Sequence, residues 1–477
     1  MLLPPRLHGA ARLLGVTAVS ATLCLGTMLT AQTTVRRGAS TAHMSSADER
    51  ALNLALDAYN EGKAHEAEPM LRVLATKYPD SYEAHEALGS LYAEGGRLTE
   101  ALPLLEKSCV LAPKDALAHG NLGATYLKLG RGSKAVRELE KAVTLDRHNL
   151  SNQANLAQAL MSTGQPSLAA KAFSAAAQLS PGNSELTYNW ALALYESGSP
   201  KEAASLLDAL PEEARTEQVE ALAADAQERA GDFARALAHF QTAARLNPSD
   251  GNVYALSIEL LRHWTWAEAI EVAKYGTRLY PSSLHFRMAE GIGYYGKSDY
   301  KQAVSVFSSL LQADPDNPTV ADLLGRSCSL LADGESAGCG EMYGFAQRHP
   351  GNPVTDTYAA VSMLHAPTEK QDLESAATLL HSAITANPNY AEAYFQLGVL
   401  EQTRLHWLES AAALEKAIAL RPESPEAHYR LSRAYTHLGR RDEAQAQIAL
   451  HQTYSAQAKG RLDAKLQEVV RFLLKPS

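Results

Sequence analysis

The stretch "HGNLGATYLKLGRGSKAVRELEKAV", His119–Val143, decides how this chain folds. It holds no catalytic signature, no metal-ligand spacing and no phosphate loop. It has a rhythm instead: Leu122, Gly123 and Tyr126, then Ala135, Leu139 and Ala142. In a frame starting at Ala116 these fall at positions 7, 8, 11, 20, 24 and 27. Positions 4, 7, 8 and 11 share one face of a first helix, and 20, 24 and 27 one face of a second. Small residues at 8, 20 and 27 admit close approach, while large ones at 7, 11 and 24 fill the space between helices.

The rhythm recurs at a spacing of 34 residues. One step back gives Leu88, Gly89, Tyr92, Ala101, Leu105 and Ser108; one step forward gives Leu156, Ala157, Leu160, Ala169, Phe173 and Ala176. The phase still holds at Leu397, Gly398, Leu414 and Ala417, and at Leu431, Ser432, Tyr435 and Ala444. Glycine near position 15 (Gly62, Gly96, Gly130, Gly164, Gly198, Gly231, Gly439) closes the first helix in a left-handed turn. Proline at position 32 (Pro79, Pro113, Pro181, Pro248, Pro281, Pro315, Pro388, Pro422) stops the second. A single helix pair cannot bury its apolar face, so neighbours must stack.

This pattern resembles the tetratricopeptide repeat family, in about twelve units from Asp48 to Tyr454. The resemblance implies an all-α fold: a right-handed α-solenoid superhelix of helix–turn–helix repeats, with first helices lining the concave side. It leaves no room for a catalytic domain. The phase slips over 332–372, where "ADGESAGCGEMYG" is glycine-rich, so a hinge is expected there between arrays at 48–331 and 373–454. Residues 455–477 are expected to form a capping helix and tail, with Leu462, Leu466, Val469, Val470 and Leu473 in one stripe.

The N-terminus departs from the repeats. Arg6 and Arg12 precede an uncharged apolar run, Leu13–Ala31, which reads as an export signal over residues 1–31 or an uncleaved membrane anchor. Residues 32–47 read as a flexible leader. The expected location is exported, periplasmic or envelope-associated. The chain carries net charge −9, and losing Arg6 and Arg12 with the signal makes it −11, a poor match for nucleic acid. Cys328 and Cys339 either pair as a disulfide or are two small buried side chains. With only four cysteines and no CxxC, a metal site is not expected, nor is any cofactor. The sixteen histidines form no ligand cluster, and no nucleophile or acid–base constellation appears, so no catalytic residue is assigned.

Candidate binding positions lie on the first helices. Asn121, Asn155 and Asn189 occupy position 6 of successive units, and a ladder of amides can hold a peptide backbone whatever its sequence. The alternative is a purely structural asparagine. Tyr254, Ile258, Leu261, Met288, Ile292 and Tyr295 mark an apolar groove for a hydrophobic ligand or helix, unless curvature or a neighbouring helix covers them. Arg430 and Arg433, with Tyr429, offer an anion site, against a solvated face beside Glu426. Together these point to a non-catalytic scaffold or adaptor for protein partners in assembly of an envelope complex. The alternative is a module that binds lipid or oligosaccharide. Gly123 is expected to accept alanine but not leucine, because a neighbouring helix packs on it.

Overall fold

The computed structural model describes residues 44–331, 338–365 and 370–473, and their side chains except at 365, 370–372 and 459–473. The expected export signal (1–31) and most of the leader lie outside the described residues, as do 332–337 and 366–369 of the expected hinge. The described residues form 24 α-helices and one short 3-10 turn, with no strand. None of these helices is long and apolar enough to cross a membrane.

The chain divides into two compact units, with the division in sequence between Asp232 and Phe233. The first unit holds α1 (Ser46–Asn60), α2 (Ala64–Lys77), α3 (Tyr82–Glu94), α4 (Leu98–Leu111), α5 (Ala116–Lys128), α6 (Gly132–Leu145), α7 (Leu150–Ser162), α8 (Pro166–Leu179), α9 (Ser184–Glu196), α10 (Pro200–Asp208) and α11 (Glu217–Ala230). The second holds α12 (Phe233–Leu246), α13 (Asp250–Arg262), α14 (Trp266–Leu279), α15 (Leu284–Gly296), α16 (Tyr300–Ala313), α17 (Pro318–Cys328), α18 (Glu341–Arg348), α19 (Pro353–His365), α20 (Lys370–Ala386), α21 (Ala391–Thr403), α22 (Trp407–Leu420), α23 (Pro425–His437) and α24 (Arg441–Leu473). In each unit, helices pack mainly on their sequence neighbours, and several first helices also touch the first helix of the next repeat.

The core follows the rhythm. The position-20 alanines Ala67, Ala101, Ala135, Ala169 and Ala203 are fully buried, and so are Leu71, Leu105 and Leu139 at position 24. The small residue at position 8 makes room for that large one. A Cβ on Gly123 would sit 2.5 Å from Leu139 Cγ, and one on Gly398 2.5 Å from Leu414 Cγ. The same Cβ on Gly123 would lie 3.2 Å from the Leu139 backbone nitrogen, so the expected tolerance of alanine is corrected: even one methyl overpacks this contact.

Helix ends are as specific as the core. Ser81, Asp115, Asn149, Asn183, Thr216, Ser249, Asn317 and Ser424 each accept a backbone N–H of the first helix they precede. The position-15 glycines all have positive φ, from 69° at Gly130 to 89° at Gly198. Where glycine is missing at this turn, Trp264, Ser298 and Leu405 adopt the same left-handed backbone, with φ of 65°, 66° and 64°. A disulfide joins Cys328, the last residue of α17, to Cys339, just before α18, with Cα atoms 5.9 Å apart. Residues 455–473 do not form a separate helix but continue α24, because Ala456 stands where other repeats place a helix-stopping proline.

Candidate functional site

The position-6 asparagines of the first unit sit close to the core. The Asn121 amide donates to Glu86 Oε1 at 2.6 Å and to Ser90 Oγ at 2.9 Å, both on α3 of the preceding repeat. Glu86 is fully buried and also accepts from Ser108 of α4. Burial pushes its carboxyl above the ordinary value, against the hydrogen bonds from Ser108 and Asn121. The amide of Asn121 is therefore bonded inward. Asn155 and Asn189 keep only 6% and 9% of their surface exposed. Glu86 was not singled out as a candidate. Its signal is a carboxylate at position 5 amid the apolar run of α3.

A second buried carboxylate joins the next layer. Glu138 of α6 lies 2.8 Å from His119 Nδ1 and 3.0 Å from Lys141 Nζ. Burial pushes Glu138 up, but Lys141 and His119 outweigh it and hold the carboxyl below its usual range. The other ring nitrogen of His119 lies 3.1 Å from the Pro113 carbonyl, which ties this repeat to the one before. His428 repeats the device in the second unit, with Nε2 2.9 Å from the Pro422 carbonyl.

The six apolar candidates fall in the second unit, on α13 and α15. Leu261 and Met288 are buried, and Tyr254, Ile258, Ile292 and Tyr295 are half-buried. Tyr254 lies against His285 at 4.3 Å and meets the edge of Phe286 at 5.9 Å, while Ile292 and Tyr295 pack on the core of α16 and α17. Gly293 lies against Ile270 and Leu261, so α13, α14 and α15 close on one another here. Much of this row is spent on packing between repeats.

The last repeat is more open. On α23, Tyr429 and Arg433 are exposed and Arg430 is half-buried. No carboxylate of the described residues pairs with either arginine side chain. The Arg430 carbonyl accepts from Gln402 Nε2 at 2.7 Å, which fixes α23 against α21.

Tetratricopeptide repeat models match residues 52–116, 116–149, 160–226 and 407–459, spanning both units. The chain is a tetratricopeptide repeat protein. The matched segments carry the frame of small and large residues described above. Among solved structures, this repeat protein is similar to one of Naa15/Naa10 bound to HypK-THB, at 12% identity over 85% of this chain and 68% of that one, with a TM-score of 0.41. It is also similar to YrrB, described as a TPR protein with an unusual peptide-binding site, at 20% identity over 38% and 93% of the two chains, TM-score 0.36. Pseudomonas aeruginosa pilF matches at 20% identity over 43% and 93%, TM-score 0.35. No curated protein matches the chain.

Proposed function

We propose that this tetratricopeptide repeat protein is a non-catalytic scaffold that holds protein partners on its first-helix face, exported and acting in assembly of a cell-envelope complex. The observation that carries this reading is the open face of α23. Tyr429, Arg430 and Arg433 occupy positions 5, 6 and 9, and both arginine side chains lack a carboxylate partner among the described residues. Two guanidinium forks beside an exposed tyrosine suit a carboxylate on an extended peptide segment. The Cys328–Cys339 disulfide supports export, because such bonds persist in oxidising compartments.

The test is a crosslinking capture from the envelope fraction with the intact chain and an Arg430→Ala/Arg433→Ala variant, after circular dichroism has shown equal helicity. A defined protein partner captured by the intact chain and lost with the variant is the expected result. Equal capture by both would move the contact face elsewhere, and capture of nothing by the intact chain would sink the scaffold reading.

A further inference from the structure

One repeat of the first unit keeps half of a contact that other repeats make in full. In those repeats a tyrosine at position 11 donates to the glutamate 20 residues before it. Tyr126 of α5 donates to Glu106 of α4 at 2.6 Å, and Tyr435 of α23 donates to Glu415 of α22 at 2.7 Å. Both tyrosines are buried and both glutamates are exposed. A cation covers each ring: Lys134 Nζ lies 5.3 Å from the centroid of Tyr126, and the Arg440 guanidinium 4.1 Å from that of Tyr435.

In the repeat built from α7 and α8, Leu160 stands at position 11, and Glu140 of α6 stands at the same spacing before it. The carboxylate is kept and the phenol is gone. Among the described residues nothing donates to the Glu140 carboxylate; Thr144 Oγ1 donates to its backbone carbonyl instead, at 2.7 Å. A pocket of about 260 Å³ opens at this place. Its lining includes the buried Leu156, Leu160 and Ala172, together with Leu168, Glu140 and Lys171. Two sequence changes make the space. Leucine lacks the phenol ring that Tyr126 and Tyr435 carry at this position, and Ala172 stands where Leu104 and Leu206 stand in other repeats. A third change makes the mouth apolar: Leu168, 45% exposed, holds a position taken by Lys134 and Glu202 in the adjacent repeats.

The lining narrows the ligand. Leucine and alanine side chains take an apolar ring, and the carboxylate at the edge takes one O–H donor. Lys171 supplies the cation that Lys134 and Arg440 supply to the internal rings. A phenylalanine would fill the space and leave Glu140 without a donor. A phosphorylated or carboxylate-bearing ligand would meet repulsion from Glu140, and a cationic one from Lys171. We propose that this pocket on α6, α7 and α8 receives a tyrosine side chain of a partner protein, its hydroxyl donating to Glu140. The partner provides in trans the ring that other repeats provide from their own sequence. This contact surface is separate from the open face of α23.

The test titrates the full chain with three peptides, acetyl-Gly-Tyr-Gly-amide, its phenylalanine analogue and its phosphotyrosine analogue, read by ligand-observed NMR. The tyrosine peptide should bind saturably with a Kd of about 1–10 mM. The phenylalanine peptide should bind about fivefold more weakly, because it cannot donate to Glu140. Glu140→Ala, at an exposed position, should erase that preference. Leu160→Tyr should fill the pocket from within, abolish peptide binding and raise the melting temperature. Arg430→Ala/Arg433→Ala should leave peptide binding unchanged, so failure here and failure of the α23 reading are told apart. Circular dichroism confirms that each variant is folded. The proposal is overturned by no saturable binding of the tyrosine peptide, by equal binding of the tyrosine and phenylalanine peptides, or by binding that survives Leu160→Tyr. Tighter binding of the phosphotyrosine peptide also overturns it. Self-association of the intact chain that Leu160→Tyr abolishes would assign the pocket to a second copy and overturn the foreign partner.

Discussion

At the scale of single residues, the repeat is a set of paired sizes. Gly123 is small because Leu139 is large, and the pair is buried with no slack. Gly123→Ala should therefore cost about 1–3 kcal/mol, and Gly123→Leu more. Leu139→Ala alone should cost about 2–5 kcal/mol by leaving a cavity. The Gly123→Ala/Leu139→Ala double variant should lose less than the sum, because the new methyl enters the space the leucine vacates. Urea unfolding of the four proteins measures this, and strict additivity would show that the two residues do not meet. These pairs were legible in the sequence because size at a fixed spacing is a direct record of packing. The turn residues were legible only in part. Glycine advertises a left-handed turn, but Trp264, Ser298 and Leu405 take the same backbone with no such sign. The same helix-closing hydrogen bonds hold them there, from Thr265, Asp299 and His406 N–H to the carbonyls of Leu260, Tyr294 and Glu401.

At the scale of helices, polar links fix one repeat on the next. Glu86 of α3, Ser108 of α4 and Asn121 of α5 join three consecutive helices in a buried network. The sequence showed Asn121 at a position suited to binding. Its partner lies one repeat back, and no periodic pattern announces a pairing between positions 5 and 6. Glu86 also gives a pH signature of unusual sign. Its folded value is raised above that of an ordinary carboxyl, so the folded chain holds the proton longer than the unfolded chain. The stability it contributes is full below the unfolded value and is lost as pH rises through the folded one. Glu138, whose folded value is lowered, acts the other way and loses its contribution as pH falls. Glu86→Gln keeps a neutral, hydrogen-bonding side chain at every pH. Wild type should therefore lose stability relative to Glu86→Gln as pH rises above the ordinary carboxylate range. Denaturant titrations across that rise test it, and parallel pH curves for the two proteins would refute the assignment.

At the scale of the whole molecule, the repeats differ in how far their first-helix faces are covered. The regular repeats spend their first-helix faces on packing and internal hydrogen bonds, as at Asn121 and the α13–α15 row. Open polar chemistry lies on α23, where Tyr429 and Arg433 are exposed. The disulfide sits at the end of α17, in the stretch with the weakest helical pattern. In an array whose repeats interact with their neighbours, removing that bond should act locally. It closes a loop of sequence separation 11, so its loss should cost about 2–3 kcal/mol. Hydrogen exchange followed by mass spectrometry, on oxidised protein and on a Cys328→Ala/Cys339→Ala variant, makes the effect visible. Peptides from α16 to α19 should lose protection, while those from α1 to α10 keep theirs. Uniform loss of protection along the chain would mean that the disulfide supports the array globally. Unchanged protection at α17 would mean that packing of Leu324 and Tyr358, rather than the covalent bond, holds that helix in place.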